Sequence, residues 1–241
     1  VFLDYGCADG ELLEAIHKEY PEALLYGYDQ SLPMINTARQ RHIPNAQFTK
    51  DVYSVLEDIC FLADNRGHKT CLILSSVLHE ICSSHSTMEV DKFWNQLFGM
   101  NFDYICIRDM GMSVDEFWTP MSEENVQKVI ENLSPNIVNS FVKSLRKTGN
   151  TRHDIKPKGI FYELLLKYPY QDNWERELKE KYIWYLDYVV NRFYDKDEEY
   201  SLIHFEHYLL PYIKDKVKSD LDIDINDPTH YQIVAKRINN E

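Results

Sequence analysis

The run Val1-Phe2-Leu3-Asp4-Tyr5-Gly6-Cys7-Ala8-Asp9-Gly10, followed by Glu11-Leu12-Leu13-Glu14-Ala15-Ile16, constrains the fold more than any other stretch of the chain. It reads as a buried strand that runs into a glycine-rich turn and opens a helix. Such a geometry sets free backbone N–H groups and a positive helix end beside a bound ligand. The small residues at positions 6, 8 and 10 let that ligand approach the backbone closely.

The stretch that follows repeats the same alternation. Strand patterns are expected over residues 1–5, 24–29, 46–52, 70–76 and 102–109, with helices over 11–20, 32–41, 53–65 and 88–98. Ser31 is a good N-cap for the second helix, with Pro33 in its first turn. Strands separated by helices indicate right-handed crossovers and a parallel sheet, hence an α/β fold. After Asp109 the pattern changes. Residues 113–200 read as mostly helical, with helices over 122–133, 137–145, 161–167 and 174–194 and a polar loop over 148–158. A strand over 202–207, a helix over 211–219 and a last strand over 231–237 complete the chain.

Composition narrows the function classes. With 241 residues, 44% of them hydrophobic, the chain can bury a sizeable core. Its formal charge of −13 repels phosphate backbones. This weighs against nucleic acid as a partner of this domain alone and leaves it open for a chain with a basic domain upstream. Five cysteines without a C-x-x-C pair read as reduced thiols, so a cytoplasmic location is expected. No membrane-length apolar stretch or signal peptide is present, and no membrane association is expected.

Several side chains sit where open α/β sheets bind ligands, at the carboxyl ends of strands. Asp29 closes the second strand nineteen residues after Gly10, with Gln30 beside it. An acidic residue there accepts hydrogen bonds from ribose hydroxyls in nucleotide sites, although a lone Asp at a strand end also caps helices. Asp51 and Val52 close the third strand, and Asp51 equally suits an N-cap for the next helix. Ser75-Ser76-Val77-Leu78-His79-Glu80-Ile81 ends the fourth strand, where the His79 imidazole suits a general base near neutral pH. Arg108-Asp109 ends the fifth.

The order D-x-G-x-A-x-G at residues 4–10 resembles the first motif of class I S-adenosylmethionine-dependent methyltransferases, with Ala8 at the usual middle glycine. It differs from the G-x-G-x-x-G of dinucleotide binders. SSVLHEI resembles the fourth motif of several small members of that family. The resemblance covers roughly residues 1–110 and the closing strands. It implies a Rossmann-like, mostly parallel seven-stranded sheet with helices on both faces and a helical insertion after strand 5. Residues 1–112 and 201–241 would form the core, and 113–200 a cap shaping the acceptor site.

The resemblance further implies S-adenosylmethionine as cofactor. Gly6, Cys7, Ala8 and Gly10 would cradle its methionine end, with Asp4 near the ammonium, Asp29 and Gln30 at the ribose, Asp51 and Val52 at the adenine, and Ser75 beside them. His79 and Ser76 would face the transferred methyl, and Asp109 the acceptor. The acceptor's class and the oligomeric state stay open. Family members carry a helix before the first strand, so a chain opening at Val1 without Met is expected to be part of a longer polypeptide.

Competing readings remain at this stage. An NAD-dependent oxidoreductase would need its third glycine at Glu11, and Asp4 and Asp9 crowd a loop that would face a pyrophosphate. A non-catalytic cofactor- or partner-binding module of a larger, RNA-processing protein fits the Ala8 substitution and the lack of an N-P-P-Y signature. Metal ligation by His79, Glu80, His85, His204, His207 and His230 is not expected. H-E-x-x-H is broken by Ser83, and His204 and His207 would face opposite sides of a strand.

Overall fold

The alternating apolar runs close into a single sheet. The computed structural model describes residues 1–147 and 154–238. Strands β1 (Phe2–Tyr5), β2 (Leu25–Tyr28), β3 (Ala46–Thr49), β4 (Cys71–Ser75) and β5 (Tyr104–Met112) are joined by helices α1 (Glu11–Glu19), α2 (Leu32–Gln40) and α3 (Val52–Arg66). Between β4 and β5 lie α4 (Leu78–Ser84) and α5 (Thr87–Gly99). Helices α6 (Val114–Trp118), α7 (Glu123–Asn132), α8 (Pro135–Lys147), α9 (Lys158–Lys167) and α10 (Trp174–Glu177) follow. Next come the short β6 (Trp184–Tyr185), α11 (Leu186–Tyr194), β7 (Tyr200–Tyr208), α12 (Pro211–Leu221) and β8 (His230–Arg237).

The main strand order is β3-β2-β1-β4-β5-β8-β7, and only β8 runs antiparallel within it. This is the expected seven-stranded, mostly parallel sheet. One strand is added: β6 pairs in parallel with the end of β5 through Gly111↔Trp184 and Met112↔Tyr185. Strand order reverses between β1 and β4, and the two pair in parallel at Phe2↔Cys71 and Leu3↔Leu72. Their carboxyl ends therefore diverge into a crevice, the place where such sheets bind ligands.

Alternation along the strands sends side chains to two helical layers. Leu25 and Phe48 pack with Leu13 of α1 and Ile35 and Ala38 of α2. On the other face Leu3, Leu72 and Ile105 pack with Ile59 of α3, Trp94 of α5 and Phe193 of α11. A further cluster joins Met110 and Met112 at the end of β5 to Phe117, Phe141, Phe161 and Leu165 of the insertion, and to Val217 and Leu221 of α12. The insertion thus has a core of its own, rooted on β5. Among the described residues no helix is long and apolar enough to cross a membrane.

Three expectations are corrected. The helix expected over 174–194 is broken: α10 stops at Glu177 and α11 starts at Leu186. The reason lies elsewhere in the chain. The carboxylate of Glu163 on α9 accepts the backbone N–H of Tyr182 (2.7 Å) and of Ile183 (2.6 Å), so these donors are not spent on helix carbonyls. The SSVLHEI run does not simply end the fourth strand: β4 stops at Ser75 and Leu78–Ser84 forms α4. The loop expected over 148–158 falls largely on residues 148–153, outside the described residues, and Lys158 instead opens α9.

Candidate active site

The loop after β1 has the glycine geometry the sequence suggests. Gly6 (φ 88°) and Gly10 (φ 82°) both lie in the left-handed region, and so does Ala8 (φ 45°), the residue at the middle position. A Cβ on Gly6 would meet Val77 Cγ2 at 2.8 Å. The turn after β1 and the turn after β4 are therefore in contact across the crevice.

Most of the loop's backbone donors are taken up within the protein, which narrows the expectation of free N–H groups to the start of α1. The N–H groups of Gly6 and Cys7 both donate to the Tyr28 carbonyl (2.8 and 2.9 Å), and that of Ala8 donates to Asp29 Oδ2 (3.0 Å). Gly10 N–H donates to the Cys7 carbonyl (2.9 Å), and Glu11 N–H to Asp9 Oδ1 (3.3 Å). With four of these loop N–H groups bonded to Tyr28, Asp29 and Cys7, the loop has few donors left to cradle a pyrophosphate. The charge argument also changes. Asp9 is taken up by the Arg41 guanidinium, which bonds its carboxylate, its carbonyl (2.7 Å) and Glu14 Oε2 (2.6 Å). Asp9 therefore belongs to the scaffold, and Arg41 holds its carboxyl below the usual carboxylate range.

Asp4 behaves differently. It is 2% exposed, and its Oδ1 has no hydrogen-bond partner among the described residues. Burial, and next the nearby charge of Asp29, push its carboxyl up to about 7. A buried acidic group without a partner is a strong local preference for a cation or a donor. Asp29 sits beside it at the end of β2, accepting from Ala8 N–H and from Ser31 N–H (2.7 Å). Each of its oxygens retains a further acceptor site.

Gly6, Asp29 and Gln30 line one cavity of about 640 Å³, together with Tyr5, Tyr28 and Val77. Its other side comes from Glu80 on α4 and from Arg176 and Glu180 of the insertion, the latter two not singled out by the sequence. Arg176 bridges these carboxylates, with Glu80 Oε1 at 3.4 Å and Glu180 Oε1 at 3.0 Å. Asp51 caps α3, its Oδ1 accepting Tyr53 N–H at 3.0 Å, and Val52 borders an adjoining cavity that shares Tyr5. Cys7 is buried, and burial pushes its thiol up.

The carboxyl ends of β4 and β5 hold the remaining candidates together. His79 Nδ1 lies 2.8 Å from Asp109 Oδ1, and the His79 backbone N–H donates to Asp109 Oδ2 (3.2 Å). Both side chains are buried, and Asp109 is 1% exposed, so its carboxylate is committed to His79 rather than to solvent. Burial opposes a charged imidazole, but the hydrogen bond and charge of Asp109 outweigh it, and the His79 pKa is raised. Ser75 ends β4. Ser76 follows with φ 56°, and its Oγ accepts from Arg108 Nη1 (3.0 Å). Left-handed backbone at a residue with a Cβ is stored strain of the kind that clusters at functional sites.

The scattered histidines do not converge. His204 is exposed, His207 Nε2 lies 3.0 Å from the Gly111 carbonyl, and His230 is buried against Thr229, its pKa lowered by burial to about 4. Among the described residues, ligand-type atoms converge within 4.8 Å only at His79, Glu80 and Glu180. Arg176 already supplies the positive charge there.

No family model and no curated protein matches the sequence. Solved structures do. An S-adenosylmethionine-dependent methyltransferase from Mesorhizobium loti aligns with 98% of this chain and 90% of its own, at 12% identity and a TM-score of 0.53. One from Anabaena variabilis covers 98% and 76% at 13% identity and 0.50, and a putative one from Listeria monocytogenes 99% and 91% at 13% identity and 0.50. The chain has the fold of the class I S-adenosylmethionine-dependent methyltransferases.

Proposed function

We propose that the chain is an S-adenosylmethionine-dependent methyltransferase whose cofactor binds in the crevice between β1 and β4. The observation that carries this reading is the buried Asp4 Oδ1, unpartnered among the described residues, behind a loop in which the N–H groups of Gly6, Cys7, Ala8 and Gly10 are already bonded within the protein. That donor set favours a cationic ligand over a dinucleotide. The structural neighbours named above are themselves described as methyltransferases of this kind.

In this reading Asp4 holds the cofactor's ammonium, directly or through water, and Asp29 with Gln30 holds the ribose. Asp51 and Val52 lie on the adenine side, where the cavity bordered by Val52 adjoins at Tyr5. When bound, S-adenosylmethionine supplies a methyl carbon on a positively charged sulfur, and its transfer leaves a neutral thioether. Positioning and exclusion of water supply much of the rate of such a displacement. His79, oriented by Asp109, receives the proton that the acceptor atom gives up. Ser76 shapes the turn beside it. Residues 113–200 form the acceptor side, since Arg176 and Glu180 already reach over the cofactor cavity.

Calorimetric titration with S-adenosylhomocysteine and with NAD separates the readings. Binding of S-adenosylhomocysteine and loss of that binding in Asp29→Ala are expected. NAD binding without it would overturn the proposal. Transfer of labelled methyl to small-molecule, protein or RNA pools then distinguishes an enzyme from a cofactor-binding module.

A further inference from the structure

A second cavity, of about 890 Å³, opens beside the first and shares Ser83 and Lys179 with it. Its walls include the apolar Leu178 and Trp184, and three lysines project from different elements: Lys143 on α8, Lys179 after α10, and Lys181 before β6. In a chain of net charge −13 this is a marked local reversal of sign. Among the described residues none of the three ammonium groups has a carboxylate partner, whereas Lys128, Lys158, Lys167 and Lys218 are each paired. Glu175 also lines the cavity, without a cationic partner among the described residues.

Lys181 is the informative member. It is half-buried, and its Nζ lies 4.4, 4.9 and 5.3 Å from the ring centres of Trp184, Tyr185 and Phe117. Aromatic faces attract a cation but do not neutralise it. Burial of this unpaired charge lowers its pKa. Its backbone is held in place: Lys181 N–H donates to Ser83 Oγ (2.8 Å), and Ser83 Oγ donates to the His79 carbonyl (2.6 Å). The Lys181 backbone is thus tied to α4 through Ser83, which lines both cavities, while its ammonium rests against the rings beside the second cavity.

We propose that this second cavity is the acceptor pocket, and that it takes a small molecule carrying an anionic group, carboxylate or phosphate, on an apolar ring-bearing body. The anion pairs with Lys181 and Lys143, and the body lies against Leu178 and Trp184. The assignment as acceptor pocket rests on the first cavity being the cofactor site.

The test uses the full chain saturated with S-adenosylhomocysteine and three probes, benzoate, phenyl phosphate and benzyl alcohol, with binding followed by ligand-observed NMR. One of the anionic probes is expected to bind at least about tenfold more tightly than benzyl alcohol. Which of them does so identifies the carboxylate or the phosphate. That preference should be lost in Lys143→Gln/Lys181→Met while S-adenosylhomocysteine affinity is unchanged. Equal binding of the neutral probe, or an anion preference that survives in the variant, would overturn the proposal. Should Lys181→Met fail to fold, the exposed Lys143→Gln alone must still weaken the anion. Failure of the wild-type chain to bind S-adenosylhomocysteine, with anion binding intact, would instead overturn the cofactor reading and with it the acceptor role.

Discussion

The carboxylate of Asp109 holds His79 twice, through the ring Nδ1 at 2.8 Å and through the backbone N–H at 3.2 Å. One buried acid on β5 thereby sets both the position and the ring orientation of the histidine in the first turn of α4. His79 gains proton affinity from this pairing, so the folded chain binds that proton more tightly than the unfolded one. The pairing therefore contributes stability that is fully present below the unfolded pKa, near 6.5, and is lost as pH rises through the raised folded value.

Asp109→Asn removes the influence that raises His79. If His79 is the base, the acidic limb of kcat/KM against pH should move to lower pH in this variant, and it should disappear in His79→Gln. Urea denaturation of Asp109→Asn should show a loss of about 1–3 kcal/mol, because the buried acceptor of the His79 ring and backbone N–H is weakened while the ring itself becomes neutral. An unshifted acidic limb would assign His79 a positioning role only.

The left-handed Ala8 predicts a gain. An L-residue there carries about 1–2 kcal/mol of strain, whereas glycine adds roughly 0.4–1 kcal/mol of unfolded-state entropy to be lost. Ala8→Gly should stabilise the chain by about 0.5–1 kcal/mol, read as a rise of about 1–4 °C in Tm. Gly6→Ala should do the opposite and weaken S-adenosylhomocysteine binding, since its Cβ would run into Val77 at 2.8 Å with φ 88°. Differential scanning calorimetry checks both.

Asp4 predicts a pH dependence of ligand binding. Its carboxyl is raised from 3.8 to about 7, by burial first and the charge of Asp29 second. The neutral form is favoured by the fold, so its contribution to stability is fully present below the unfolded pKa and is lost as pH rises through about 7. A cationic ligand needs the ionised form. Affinity for S-adenosylhomocysteine should therefore climb with pH up to about 7 and then level off. Asp4→Asn should bind more weakly at pH 8 and show a flatter profile in calorimetry.

What the sequence made legible, and what it did not, follows from the range of the interactions. The turn at Gly6 and Gly10, the strand-end Asp29, and the Ser31 and Asp51 caps are local: pattern, spacing and side-chain type decide them within a few residues. The seven-strand path follows from strand–helix alternation and the handedness of crossovers. By contrast, the capture of Asp9 by Arg41 spans 32 residues, and the bond from Lys181 N–H to Ser83 spans 98. Residues 178–183 read as helix because their local pattern is helical. Glu163 overrides that pattern from another element, and Glu180 and Lys181 lie in the non-helical segment that results.

The same break yields the last prediction. Glu163 and Lys167, one turn apart on α9, form a buried pair at 2.6 Å with both side chains under one-tenth exposed. Glu163 receives the N–H groups of Tyr182 and Ile183, and Lys167 Nζ donates to the Glu180 carbonyl. Lys167→Met leaves Glu163 charged and buried with only two amide donors, and should cost about 3–5 kcal/mol in urea denaturation. The double variant Glu163→Gln/Lys167→Met removes the unpaired charge and keeps one amide oxygen to accept from the segment, though the Glu180 carbonyl loses its donor, and should recover part of that stability. Because the segment carries Glu180 and Lys181, Lys167→Met should also loosen one wall of each cavity. Faster amide hydrogen exchange at Tyr182 and Ile183, with exchange in β1 and β4 unchanged, would be the local signature, and uniformly faster exchange would show that the pair supports the whole fold instead.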